Sequence, residues 1–132
     1  MHNPLPFDRR SAGVSDPRLD SAMLATLQEV MEGDYPMLLD AFLNDSEERL
    51  RMLQETCAAG EAEPLRQAAH SFKGSCSNMG AVVLADLCRQ LEELAGGERL
   101  EGAPALIERI EREFAIARIL YRAERQRHAG PV

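Results

Sequence analysis

From Leu19 onward, apolar side chains recur at steps of three and four, the spacing of one face of an α-helix. Five such runs follow one another. The first, about Asp20 to Met31, carries Leu24, Leu27 and Met31; the second, Pro36 to Cys57, carries Leu39, Phe42, Ser46, Leu50, Leu53 and Cys57. The third, Pro64 to Met79, places Leu65, Ala69, Phe72, Cys76 and Met79 on one stripe, with Gly80 just past its end as a cap. The fourth, Ala81 to Ala95, carries Leu84, Leu87, Cys88, Leu91 and Leu94 before Gly96 and Gly97. The fifth, Pro104 to about Arg125, carries Ile107, Ile110, Phe114, Ala117 and Tyr121. No alternating strand pattern of useful length intervenes. The spacing predicts an all-α fold: an antiparallel up-and-down four-helix bundle with a short additional N-terminal helix covering one end.

Proline supports these boundaries. Pro36, Pro64 and Pro104 each stand at the head of a run, as the first helical position allows, because the N–H they lack has no partner there. Pro4, Pro6 and Pro17 instead fall in a stretch without periodicity, so residues 1–18 are expected to be a flexible tail. The folded domain is then 19–127, with 128–132 a disordered end. At 132 residues the chain suits one domain, large enough to bury about two thirds of its unfolded surface.

Composition narrows the function. The net charge is −7, from 22 acidic and 15 basic side chains, so nucleic acid is not an expected partner. Three cysteines, Cys57, Cys76 and Cys88, have neither the pairs of a zinc site nor the even count of a disulfide framework. They are expected to be reduced. No signal-peptide pattern and no long apolar stretch are seen, which predicts a cytoplasmic protein that does not enter a membrane. Arginine supplies 14 of the basic residues and lysine one, Lys73. Charge is also uneven: Asp20 to Glu63 sums to −9, whereas Pro64 to Gly80 contains no acid and carries Arg66 and Lys73. That acid-free island points to a site for something negatively charged.

On a helical wheel of this third segment, with Leu65 at zero, the apolar stripe lies within about 40° of zero while His70 falls at about 140° and Lys73 at about 80°. His70 therefore points outward or to the rim. A surface histidine is often merely solvated, and Gly74, four residues on, either allows close helix packing or clears space for a partner's approach. A metal is not expected, since His2 and His128 lie near the chain ends and no second ligand stands beside His70. A serine hydrolase is not expected either, for want of a nucleophile elbow. What remains is the imidazole itself as a nucleophile toward phosphorus, with a nearby ammonium to offset charge.

The run Ala69-His70-Ser71-Phe72-Lys73-Gly74-Ser75-Cys76-Ser77-Asn78-Met79-Gly80-Ala81 resembles the signature of histidine phosphotransfer (HPt) domains of bacterial two-component phosphorelays, with Phe72 in place of a commoner leucine and Cys76 of a commoner small residue. The likeness extends over about Leu19 to Tyr121. It implies that His70 accepts a phosphoryl group on Nε2 from a receiver-domain aspartate and passes it to another receiver. Lys73 would sit by the phosphoryl oxygens, and Gly74 would leave room for the receiver. Glu92, by ungapped count, would occupy the place of the residue that holds the imidazole Nδ1; otherwise it is a solvated helix glutamate. Arg66, Gln67, Ser71 and Ser77 would form the docking rim.

The partners so implied are the receiver domain of a hybrid sensor histidine kinase and a response regulator. The chain would carry no cofactor, and Mg²⁺ is expected on the receiver. No phosphate-binding GxxxxGK loop is present, so the protein is expected to be a relay without ATP-dependent kinase activity of its own. A monomer is expected. Two other classes remain: a non-catalytic helical adaptor binding a signalling partner, and a bundle-core metal or cofactor protein, for which no facing ligand set is visible. The arginines from Arg118 to Arg127 read as a solvated helix end, or as a complement to an acidic partner.

Overall fold

The computed structural model describes residues 16–129. Its helices are α1 (Ser21–Met31), α2 (Tyr35–Ala58), α3 (Ala62–Asn78), α4 (Val82–Gly96) and α5 (Ala103–Ala129), with single 3₁₀ turns at Glu32–Asp34 and Leu100–Gly102. Each of α2 to α5 packs on its neighbour in sequence, and α5 closes the ring against α2. The most extensive packing is between α3 and α4. Four helices thus form the expected bundle, and α1 crosses one end.

The stripes account for the core. Leu39, Phe42, Ser46 and Leu53 of α2, Leu65, Ala69, Phe72 and Cys76 of α3, Leu84, Leu87, Cys88 and Leu91 of α4, and Ile107, Ile110, Phe114, Ala117 and Tyr121 of α5 are all buried. The prolines sit slightly deeper than expected. Pro36 and Pro104 are second in their helices and Pro64 third, positions where the missing N–H still has no intrahelical partner.

Two ends of the chain differ from expectation. Residues 1–15 of the proposed tail lie outside the described residues, but Asp16 to Arg18 form a turn closed by Leu19 N–H donating to Asp16 O at 3.1 Å, with Arg18 paired to Glu113 of α5 at 3.2 Å. At the other end α5 continues through His128 and Ala129, which were expected to be disordered. The cause is a polar contact made inside the bundle. Glu124, 3% exposed, accepts from Tyr35 Oη at 2.8 Å and pairs with His128 Nε2 at 3.2 Å, while the His128 ring meets Tyr35 edge-on at 5.0 Å. Residues 130–132 lie outside the described residues.

The corner between α3 and α4 fixes the helix that carries His70. Gly80 has φ +74, a conformation costly to any residue with a Cβ, and a Cβ there would also stand 3.2 Å from Asp20 O. Gly80 O accepts from Asp20 N–H at 2.8 Å, and the Asp20 side chain in turn caps α1 by accepting from Met23 N–H at 3.1 Å. One glycine therefore joins the end of α3, the start of α4 and the start of α1.

Candidate functional site

Burial of Ala69 and Phe72 on α3 turns the intervening residues outward. His70 stands there with its side chain 63% exposed, facing α4. Across from it, Leu91 of α4 is buried and Glu92, the next residue, lies at the rim of the α3–α4 seam, its side chain 20% exposed. Glu92 Oε2 lies 2.9 Å from His70 Nδ1, and Oε1 lies 2.8 Å from Lys73 Nζ. A carboxylate can only accept, so Nδ1 carries a proton, and in the neutral imidazole this leaves the lone pair on Nε2. Nε2 has no protein partner among the described residues.

The electrostatics agree with this assignment. The Lys73 ammonium, and after it the His70 imidazole, hold the Glu92 carboxyl below the usual carboxylate range against the opposing effect of its burial, so it is ionised at neutral pH. On the other side of His70, Arg66 forms a bidentate pair with Glu63, and hydrogen bonds from Arg66 and Gln67 pull the Glu63 carboxyl down to about 2. The stretch that is acid-free in sequence is therefore not uncompensated in space. Glu63 comes from the preceding turn and Glu92 from the neighbouring helix.

Gly74 has ordinary helical backbone, and a Cβ built on it meets nothing within 4 Å. Packing within the chain does not require glycine there. The space stays open to solvent one turn beyond His70. Of the expected rim residues, Gln67 and Ser71 line a groove of about 460 Å³ between α2 and α3, whereas Ser77 lies with Lys73 along a separate groove of about 350 Å³ bordered by α4 and the start of α1. Arg66 is drawn toward Glu63 and Glu92 instead.

Arg49 of α2 escaped the sequence reading. It pairs with Asp45 at 2.6 Å and donates to Ser71 Oγ, so α2 contributes a charged side chain beside the turn that bears His70. Another missed residue is Glu124, for which a signal did exist: it falls in phase with Phe114, Ala117 and Tyr121 on the buried stripe. Two of the C-terminal arginines are paired with residues of α2. Arg118 pairs with Glu47 at 2.8 Å and Arg125 with Asp40 at 2.9 Å, stitching α5 to α2.

An exposed histidine thus stands with Nδ1 on a carboxylate and open space beyond, while the lysine, expected beside phosphoryl oxygens, lies on that same carboxylate. Residues 37–124, two thirds of the chain, match the Hpt domain family. The chain belongs to that family. A solved structure, histidine-containing phosphotransfer protein B (HptB) from Pseudomonas aeruginosa PAO1, is 62% identical and superposes with a TM-score of 0.84, over 86% of this chain and 98% of that one. Comparison with curated proteins gives no match. Within this HPt domain, no described helix is long and apolar enough to cross a membrane, and the described residues hold no cluster of three or more potential metal ligands.

Proposed function

We propose that this HPt protein relays a phosphoryl group between receiver-domain aspartates through a phosphohistidine at His70. The observation that carries the proposal is the 2.9 Å contact of Glu92 Oε2 with Nδ1 of an exposed imidazole, which leaves Nε2 as the nucleophile. In the forward step the Nε2 lone pair attacks phosphorus, the N–P bond forms, and the P–O bond to the aspartate breaks, returning a carboxylate to the receiver. The ring keeps its Nδ1 proton and becomes cationic, a charge that faces Glu92. Lys73 steadies Glu92. The step runs in reverse toward the second receiver.

Family membership supports an intermediate rather than a kinase, and we read the protein as drawing its phosphoryl group from a receiver and not from ATP. The receiver would bring the Mg²⁺ along with its aspartate. One receiver would belong to a hybrid sensor histidine kinase and the other to a response regulator. Docking would use the open space above Gly74, with Gln67, Ser71 and Arg49 on one side and Ser77 on the other. We further propose a cytoplasmic monomer. Incubation with a phosphorylated receiver should place an acid-labile phosphate on the parent and none on a His70→Gln variant. Equal labelling of the two would refute the assignment, and unchanged partner binding with no label on either would favour an adaptor.

A further inference from the structure

A phosphoryl group on Nε2 of His70 brings about two negative charges to the surface of α3. Lys73 is poorly placed to be their only partner. Its Nζ already lies 2.8 Å from Glu92 Oε1 and its side chain is 31% exposed, so one of its three N–H donors is given to a carboxylate. Arg66, one turn toward the helix N-terminus, is engaged differently. Its Nε and Nη2 donate to the two oxygens of Glu63 at 2.8 and 2.7 Å, while Nη1 turns toward α4 and stops 3.9 Å from Glu92 Oε2, the oxygen that accepts from His70 Nδ1. At that separation Nη1 is in the field of the carboxylate without being hydrogen-bonded to it.

Two further features direct Arg66 to this place. Helical side chains lean toward the N-terminus of their helix, so the His70 imidazole leans over the turn that bears Arg66. Opposite, α4 ends on Gly96, where a Cβ would make an ordinary contact with Arg66 Cδ at 3.6 Å, so the stem of Arg66 runs along the end of α4.

We infer that Arg66 binds the phosphoryl oxygens of phosphorylated His70 through Nη1, while Lys73 acts on them through Glu92. The inference rests on His70 as the phosphoacceptor. A planar guanidinium tethered along one edge by Glu63 keeps its other edge for an anion, and its fork suits phosphate oxygens better than a single ammonium does. Arg66 then serves the phosphorylated state rather than either groove of the rim.

The test uses the full chain, labelled chemically with phosphoramidate so that no protein partner is needed. The ³¹P resonance of phospho-His70 is identified by its loss in His70→Gln and titrated with pH. Arg66→Gln should raise the pKa of the phosphoryl group by about half a unit, since a cation near it favours the dianion. Arg66→Lys should recover part of the shift, and Lys73→Gln should move the pKa less than Arg66→Gln does. Thermal unfolding of each variant separates this effect from misfolding. A titration in Arg66→Gln that matches the parent, or a larger shift in Lys73→Gln, overturns the inference and leaves His70 as the acceptor. Absence of a phospho-His70 resonance in the parent overturns both.

Discussion

Gly74→Ala separates what the helix wants from what the site needs. Glycine inside a helix costs about 0.5–1 kcal/mol relative to alanine, through the backbone freedom it gives up on folding. Gly74 has no positive φ to justify that cost, and a Cβ added to it meets no atom within 4 Å, so neither strain nor overlap subtracts from the gain. The variant should therefore be more stable by about 0.5–1 kcal/mol, which for a domain of this size is roughly 2–4 °C in Tm. Urea unfolding should show a higher midpoint at unchanged m. Yet the methyl group lies four residues from His70, on the same side of α3, where a receiver must come close. Transfer from a phosphorylated receiver should slow in Gly74→Ala and slow further in Gly74→Gln, whereas labelling by phosphoramidate should change little. A destabilised alanine variant would mean that the backbone or the packing at 74 is other than described. Full transfer to the glutamine variant would remove Gly74 from the docking face.

Two further outcomes follow from the charges. Glu92 has its pKa lowered chiefly by Lys73, so its contribution to stability is present above the usual carboxylate value, about pH 4.5, and is lost as pH falls through the depressed one. Glu92→Gln should accordingly be less stable than the parent at neutral pH, by about 1 kcal/mol or less, with the gap closing on acidification in unfolding measurements; a gap constant from pH 7 to pH 2 would contradict the ion pairing. Tyr35→Phe removes the O–H that Glu124 Oε2 accepts at 2.8 Å in a buried site. It should cost about 1–3 kcal/mol in urea unfolding, and a neutral result would show that Glu124 finds another donor.

The bundle was legible because each helix buries a stripe, and a stripe is a property of one segment read alone. The same holds for His70, Lys73 and Gly74, which share α3. Glu92 needed more. Its distance from His70 along the chain could be counted from the family likeness, but its contact with Lys73 depends on how α4 is rotated against α3. Arg49 was invisible for that reason: nothing in α2 alone shows that its side chain reaches Ser71. The pairs Arg118 with Glu47 and Arg125 with Asp40 join residues far apart in sequence, so the C-terminal arginines read as solvated. Glu124 was passed over although its phase on the α5 stripe marked it as buried, because a carboxylate there makes sense only once Tyr35 and His128 are seen beside it.

Two of the bundle's seams differ in what the chain must give up to close them. His70 and Glu92 are 22 residues apart and joined through the tight corner at Gly80, while Tyr35 and Glu124, which fasten α2 to α5, are 89 apart. Loop-closure entropy rises with the logarithm of length, so the longer link costs about 1 kcal/mol more to bring together. The imidazole and its carboxylate thus sit on a seam of lower contact order than that between α2 and α5, where local sequence does more of the assembly and the distant ends of the chain are asked for less.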